Sequence, residues 1–224
     1  MDDSPERRTQ RARMVEFQLR ERDITDPRVL EAMGRVPRHL FVPPDSLQLA
    51  YSDMPLPIGQ RQTISQPYIV ALMTQCLELK GDETVLEVGT GSGYQAAVLA
   101  GVARQVYSLE RLPELAERAR ELLQRLGLRN VEVRLGDGSG GWPEHAPYEA
   151  MVVTAAAPQP PKPLLDQLAE GGRLVIPVGG IDGQMLERWR RHSGQLDRER
   201  IAPVAFVPLV GTFGWQADVR TTEG

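Results

Sequence analysis

The pattern of apolar and polar positions divides the chain into an irregular front and a regular middle. From Asp2 to Arg13 nearly every residue is polar, and this stretch is expected to fray. Met14 to Arg22 reads as a short helix, with Val15, Phe17 and Leu19 supplying apolar surface. Asp26-Pro27 is an N-cap followed by proline at the first helical position. The helix it opens carries Val29, Leu30, Met33 and Val36 on one face and ends at Pro37. Pro43 to Pro57 lacks periodicity and reads as an extended connector held by packing. A further helix starts at Pro67, turns Ile69, Val70, Leu72, Met73, Cys76 and Leu77 inward, and stops at Gly81-Asp82.

From there strands and helices alternate, which is the signature of an α/β fold. Strands are expected at Thr84 to Val88, Gln105 to Leu109, Val131 to Leu135, Ala150 to Thr154 and Arg173 to Val178. Helices are expected at Tyr94 to Ala100, Pro113 to Leu126 and Leu164 to Leu168. Gln184 to Arg191 and Ile201 to Leu209 are strand-like with no clear helix between them. They read as an antiparallel hairpin that closes the sheet. The fold class is therefore α/β and Rossmann-like, a mostly parallel sheet with helices on both faces. Residues 1–80 form a helical extension and residues 81–224 the core, packed together as one globular domain.

Composition narrows this only a little. A chain of 224 residues has room for one α/β domain with a full core. A net charge of −4 implies no general attraction to nucleic acid. No apolar run approaches the roughly 20 residues that span a bilayer, and the acidic start lacks a signal core. Cys76 is the only cysteine, which fits a reducing, cytoplasmic setting. One cysteine and three scattered histidines, His39, His145 and His192, build no zinc site, so no metal is expected. No assembly segment stands out, and a monomer is the expectation.

Candidate chemistry gathers at the ends of the expected strands. Glu87-Val88-Gly89-Thr90-Gly91-Ser92-Gly93 follows the first strand of the alternation. Glycines there let backbone approach a ligand closely. Dinucleotide folds use Gly-x-Gly-x-x-Gly to place a pyrophosphate on a helix N-terminus. Here the spacing is Gly-x-Gly-x-Gly, Glu87 precedes it, and no Lys or Arg lies between Asp82 and Arg104. That combination suits a cationic ligand without phosphates, such as S-adenosylmethionine. Glu110, with Arg111 beside it, ends the next strand, where a carboxylate accepts hydrogen bonds from ribose hydroxyls. Asp137 and Gly138 follow the third strand, where Asp137 is placed to accept from an adenine amino group. Singly, these are a tight turn, a surface Glu and an Asp-Gly turn. Three at successive strand ends converge on one crevice. A second candidate is the polar run Gly59 to Tyr68, just before a helix N-terminus. Its hydroxyls and N–H groups suit an anion, and Ser65 or Gln66 acting only as a helix cap is the other reading.

These motifs resemble those of the protein-L-isoaspartate (D-aspartate) O-methyltransferases. The most specific is Thr63-Ile64-Ser65-Gln66-Pro67-Tyr68. Arg35-Val36-Pro37-Arg38, Leu86 to Tyr94, Gly136-Asp137-Gly138, Pro147-Tyr148-Glu149-Ala150 and Ala155-Ala156-Ala157-Pro158 support it. So do Gly171-Gly172-Arg173-Leu174, Gln184-Met185-Leu186 and Phe206-Val207-Pro208-Leu209. After Leu209 the match weakens, and Val210-Gly211-Thr212-Phe213-Gly214-Trp215 departs from the polar pattern usual there. The resemblance implies methyl transfer from S-adenosylmethionine to the α-carboxylate of L-isoaspartyl and D-aspartyl residues in damaged proteins, leaving S-adenosylhomocysteine. It implies an active-site role for Ser65, and substrate contacts from Thr63, Ile64, Ser65, Val207, Pro208 and Leu209. It also implies cofactor contacts from Glu87, Gly89, Thr90, Gly91, Ser92, Gly93, Glu110, Arg111, Asp137 and Gly138.

The implied chemistry agrees with the residues present. A carboxylate with a pKa near ~4 is already ionised at neutral pH and needs no general base. Alignment and exclusion of water suffice, so the lack of a catalytic triad is expected. Base methylation is disfavoured because the fourth strand ends in Thr154-Ala155-Ala156-Ala157-Pro158 rather than an Asn-Pro-Pro-Tyr-like motif. A nicotinamide-dependent dehydrogenase is disfavoured by the glycine spacing.

Overall fold

The structure is a computed structural model and describes residues 3–180 and 182–216. Asp2 lies outside the described residues, and from Asp3 onward the polar N-terminal stretch is ordered rather than frayed. Pro5–Arg13 forms helix α1, capped by the Ser4 hydroxyl. Arg11 is buried, and its guanidinium donates to both carboxylate oxygens of Asp3 at 2.9 Å and to the Tyr51 hydroxyl. Its anchor lies far along the chain, which local composition does not register. Met14–Arg20 continues in π-helical form and places Met14 and Leu19 in the core. Helix α2, Pro27–Arg35, starts as expected: Asp26 accepts the Arg28 N–H at 2.8 Å.

The proline-rich connector holds more order than expected. Pro44–Leu49 is a 3-10 turn, and Leu56–Gly59 (β1) pairs with Gln62–Ile64 (β2) as a small antiparallel hairpin. Its turn residues Gln60 and Arg61 both have positive φ. Glycine or asparagine usually marks that conformation, so the sequence carries no signal for this hairpin. Helix α3 then runs from Pro67 to Cys76.

The main sheet begins with β3, Thr84–Val88. It continues through α4 (Tyr94–Ala100), β4 (Gln105–Glu110), α5 (Pro113–Arg125), β5 (Val131–Leu135) and β6 (Tyr148–Val153). It is completed by α6 (Lys162–Asp166), β7 (Leu168–Gly180), β8 (Gly183–His192) and β9 (Gln195–Val204). Strand order is β5-β4-β3-β6-β7-β8-β9. The first five of these are parallel neighbours, and β8 and β9 close the sheet antiparallel. The order reverses between β3 and β6, so a crevice opens beyond their C-terminal ends.

Two boundaries differ from the sequence expectation. Strand β7 begins at Leu168, where the preceding helix was expected to end. The closing strand begins at Gln195, not Ile201, because Ser193 and Gly194 adopt the left-handed turn that suits a two-residue hairpin. It also stops at Val204. The chain then leaves the sheet edge and crosses to Ala156, which donates to Val207 O at 2.8 Å and accepts from Leu209 N–H at 2.7 Å.

Alternation along the strands builds two apolar layers. Val85, Ala150, Val152 and Val175 face a core that includes Met14, Leu30, Met73 and Leu99. Leu86, Val88, Met151 and Ile176 face the opposite layer, with Trp142, Tyr148 and Leu164. The N-terminal helices thus share the first core with the sheet. Among the described residues, no helix is long and apolar enough to cross a membrane.

Candidate active site

At the end of β3 the chain turns sharply through Gly89, Thr90, Gly91, Ser92 and Gly93. The Gly89 and Thr90 N–H groups donate to the Leu109 carbonyl at 2.8 and 3.2 Å, which folds the turn over the end of β4. Gly89 has φ +96°, and a Cβ there would lie 2.4 Å from Thr154 Oγ1. Thr154 follows β6 and donates its hydroxyl to the Gly89 carbonyl at 2.6 Å. Glycine is thus required both by conformation and by the approach of the neighbouring strand.

Glu110 ends β4 and points back at this turn. Its carboxylate accepts the N–H of Gly91 at 2.8 Å and of Leu112 at 2.9 Å. The side chain is fixed, and each oxygen keeps a lone pair for another donor. Glu110, Arg111 and Leu112 line a cavity together with Gly89, Gly91, Gly138, Thr154, Ala155 and Val207 to Val210. The cavity holds about 630 Å³, part of it open to solvent.

Glu87 stands elsewhere than its expected charge role requires. It is fully buried behind the turn, and Ser108 donates its hydroxyl to Oε2. The Thr90 and Ser108 hydroxyls are 2.5 Å apart, so the carboxyl connects to the turn through two side chains. Burial, opposed by the Ser108 hydrogen bond and reinforced by the charge of Glu110, pushes the Glu87 pKa up to about 8. At neutral pH it is mostly protonated.

Asp137 follows β5, and both its oxygens have protein partners. Oδ1 accepts from the N–H and hydroxyl of Ser139, at 2.9 and 2.7 Å. Oδ2 accepts from the Thr212 N–H at 2.7 Å. Burial alone would raise its pKa, but the hydrogen bonds from Thr212 and Ser139 outweigh it and hold the carboxyl below the usual carboxylate range.

A second, more open groove of about 1310 Å³ adjoins the cavity. Thr63, Ser65, Gln66 and Tyr68 line one side of it, and Ala202 to Val207 line the other. Thr63, Thr154 and Val207 line both spaces and mark where they meet. Ser65 also borders a recess beside Thr90 and Gly91, together with Ile64. The side-chain cap of α3 comes from Asp53, whose Oδ1 accepts the Tyr68 N–H at 2.9 Å. Ser65 and Gln66 make no such bond. Pro208 and Leu209 line the cavity rather than the groove.

Sequence reasoning passed over Thr154 and Asp53. Thr154 was findable, because it directly follows a strand that ends at the crevice. Asp53 sits in the connector and meets α3 only through tertiary structure. His39 bonds the Tyr51 hydroxyl at 2.7 Å, and His145 stacks on Tyr107 at 3.8 Å between ring centroids. Neither lines the cavity or the groove.

A parallel sheet with its crevice between β3 and β6, an antiparallel closing pair and a carboxylate beside a short glycine turn define an S-adenosylmethionine-dependent methyltransferase. The comparisons carry this further. The family model for Protein-L-isoaspartate(D-aspartate) O-methyltransferase (PCMT) matches residues 9–214. A Methanoculleus marisnigri protein-L-isoaspartate O-methyltransferase is 56% identical over 212 residues, covering 95% of this chain and 96% of its own. Protein-L-isoaspartate O-methyltransferase 1 of Syntrophobacter fumaroxidans is 58% identical over 206 residues, covering 92% and 96%. A solved protein-L-isoaspartate O-methyltransferase superposes with a TM-score of 0.83 at 28% identity, over 91% of this chain and 67% of its own. A Plasmodium falciparum structure described as a beta-aspartate methyltransferase, in complex with S-adenosyl-L-homocysteine, gives 0.76 at 26% identity, over 88% and 96%. The chain belongs to the protein-L-isoaspartate (D-aspartate) O-methyltransferase family.

Proposed function

We propose that the chain transfers a methyl group from S-adenosylmethionine to the α-carboxylate of L-isoaspartyl residues, and of D-aspartyl residues, in damaged proteins. The observation that carries this reading is the meeting of two spaces at Thr63 and Thr154. One is a cavity lined by the glycine turn and Glu110, and the other is a more open groove lined by Ser65, Gln66 and Tyr68. The residues fit the cofactor: Glu110 has free lone pairs beside the turn, and Gly89 and Gly91 line the same cavity without side chains of their own. S-Adenosylmethionine supplies a methyl group activated by its sulfonium, and S-adenosylhomocysteine is the product.

The chain's residues orient the reactants. The acceptor carboxylate is ionised at neutral pH, so no proton has to be removed. Thr63 lines the junction and Ser65 the adjoining groove, and in this reading their hydroxyls hold the carboxylate toward the methyl group. Ser65 acts as a positioned donor and not as a base. Methylation turns the carboxylate into a better leaving group. The succinimide then re-forms without the enzyme, and part of it opens to normal aspartate. Gly89, Thr90, Gly91, Ser92, Gly93, Glu110, Arg111, Asp137 and Gly138 form the cofactor side in this reading, with Glu87 supporting the turn from behind through Ser108 and Thr90. Thr63, Ile64, Ser65 and Val207 form the substrate side, with Pro208 and Leu209 behind them. Residues 1–80 serve as the substrate-contacting extension of the core. The reading includes action as a monomer in the cytoplasm, without nucleic acid or membrane as partner, supported by the net charge of −4 and the lone Cys76.

The test is transfer of radiolabelled methyl to an isoaspartyl peptide and to its aspartyl twin. Label on the first alone is expected. Equal transfer to both, or none, rejects the assignment.

A further inference from the structure

The segment after Leu209, which the family model still matches as far as residue 214, folds into a tight loop. Trp215 N–H donates back to Leu209 O at 2.7 Å, and Gly211 N–H to Trp215 O at 3.1 Å. The Trp215 indole N–H donates to Ala156 O at 3.0 Å. At its tip the loop docks on the turn after β5. The Thr212 N–H reaches Asp137 Oδ2 at 2.7 Å, and the Phe213 N–H reaches the Ser139 hydroxyl at 3.0 Å. Ser139 in turn donates to Asp137 Oδ1. A Cβ on Gly211 would lie 2.1 Å from Asp137 Oδ1, so the loop can sit this close only with glycine there. Leu209 and Val210, at the loop's base, line the same cavity as Glu110.

We infer that Asp137, besides any contact with the cofactor, is a positioning residue that shapes the cofactor cavity through the loop Leu209–Trp215. Its Oδ1 accepts two protein donors and its Oδ2 accepts the loop's Thr212 N–H, and the loop it holds supplies Leu209 and Val210 to the cavity lining. A charged acceptor for backbone N–H groups is a stronger tether than a neutral one. The inference rests on the reading that the cavity binds the cofactor, and wild-type affinity for S-adenosylhomocysteine tests that reading by itself.

Trp215→Ala loosens the loop from its far end without touching Asp137. The experiment measures calorimetric affinity for S-adenosylhomocysteine in full-length wild type, Asp137→Ala, Trp215→Ala and the double variant. Each single change is expected to weaken binding by about tenfold. The double variant should be no weaker than the singles, because both remove the same wall. Full additivity, or loss in Asp137→Ala with none in Trp215→Ala, overturns the inference in favour of direct contact. If either variant fails to fold, hydrogen exchange of the wild-type chain decides. The Thr212 and Phe213 amides should gain protection on addition of S-adenosylhomocysteine, and unchanged exchange there counts against the loop. Wild type that binds no S-adenosylhomocysteine instead rejects the cofactor reading.

Discussion

Asp53 caps helix α3 from outside it, accepting the Tyr68 N–H at 2.9 Å while Arg22 holds its other oxygen at 2.9 Å. The cap therefore does not draw on the Ser65 hydroxyl. Stability and chemistry at this helix start are assigned to different residues, and they separate by mutation. Ser65→Ala should leave thermal stability nearly unchanged and lower kcat by about 10²–10³, the loss expected for one positioned donor. Asp53→Ala should cost about 1 kcal/mol of stability, as loss of a helix cap does. Thermal melts and steady-state rates on an isoaspartyl peptide check both.

Glu110 is held by two backbone donors beside the glycine turn. Glu110→Ala should weaken S-adenosylhomocysteine binding by about 10- to 100-fold, the scale of lost charge-assisted hydrogen bonds. Calorimetry reads this directly, and unchanged affinity would remove Glu110 from the site.

Glu87 gives a pH signature. Its native pKa is raised to about 8, far above the unfolded value near ~4.5. Between those values the native state holds the proton and the unfolded state does not. The contribution to stability is complete below pH ~4.5 and declines as pH rises to about 8. Glu87→Gln cannot ionise, so its stability relative to wild type should rise between pH 5 and pH 8, by a few kcal/mol in order of magnitude. Melts at the two values test the sign. An ionisation near pH 8 in the rate profile should vanish in Glu87→Gln and persist in Ser65→Ala. Its loss in Ser65→Ala instead would make Ser65 part of a proton transfer.

Gly89→Ala combines an unfavourable φ with a 2.4 Å approach to Thr154 Oγ1. Adding Thr154→Ala removes the second problem and leaves the first, which costs roughly 1–2 kcal/mol. Cofactor affinity should fall sharply in Gly89→Ala and recover in part in the double variant. No recovery would show that backbone conformation alone accounts for the glycine.

What the sequence disclosed follows from how local each feature is. Strands β3 to β6 are short apolar runs between glycine and proline signals, and each was readable within a residue or two. The glycine turn and Glu110 were readable because their meaning depends on position after a strand. The β1–β2 hairpin was not, since Gln60 and Arg61 adopt left-handed backbone without the residues that advertise it. Helix α1 depends on Arg11 meeting Asp3 and Tyr51, and the tip of the C-terminal loop depends on Asp137 meeting Thr212. Such pairs belong to tertiary structure and leave no periodic trace. Glu87 shows the converse. Its place before the glycine turn was legible, but its charge state is set by burial, which the sequence alone did not provide.

The cavity and the groove each open to solvent and join at Thr63, Thr154 and Val207. On the proposed assignment nucleoside and client use separate openings, so steady-state kinetics should show no compulsory order of arrival, and spent nucleoside should exchange with a client still seated.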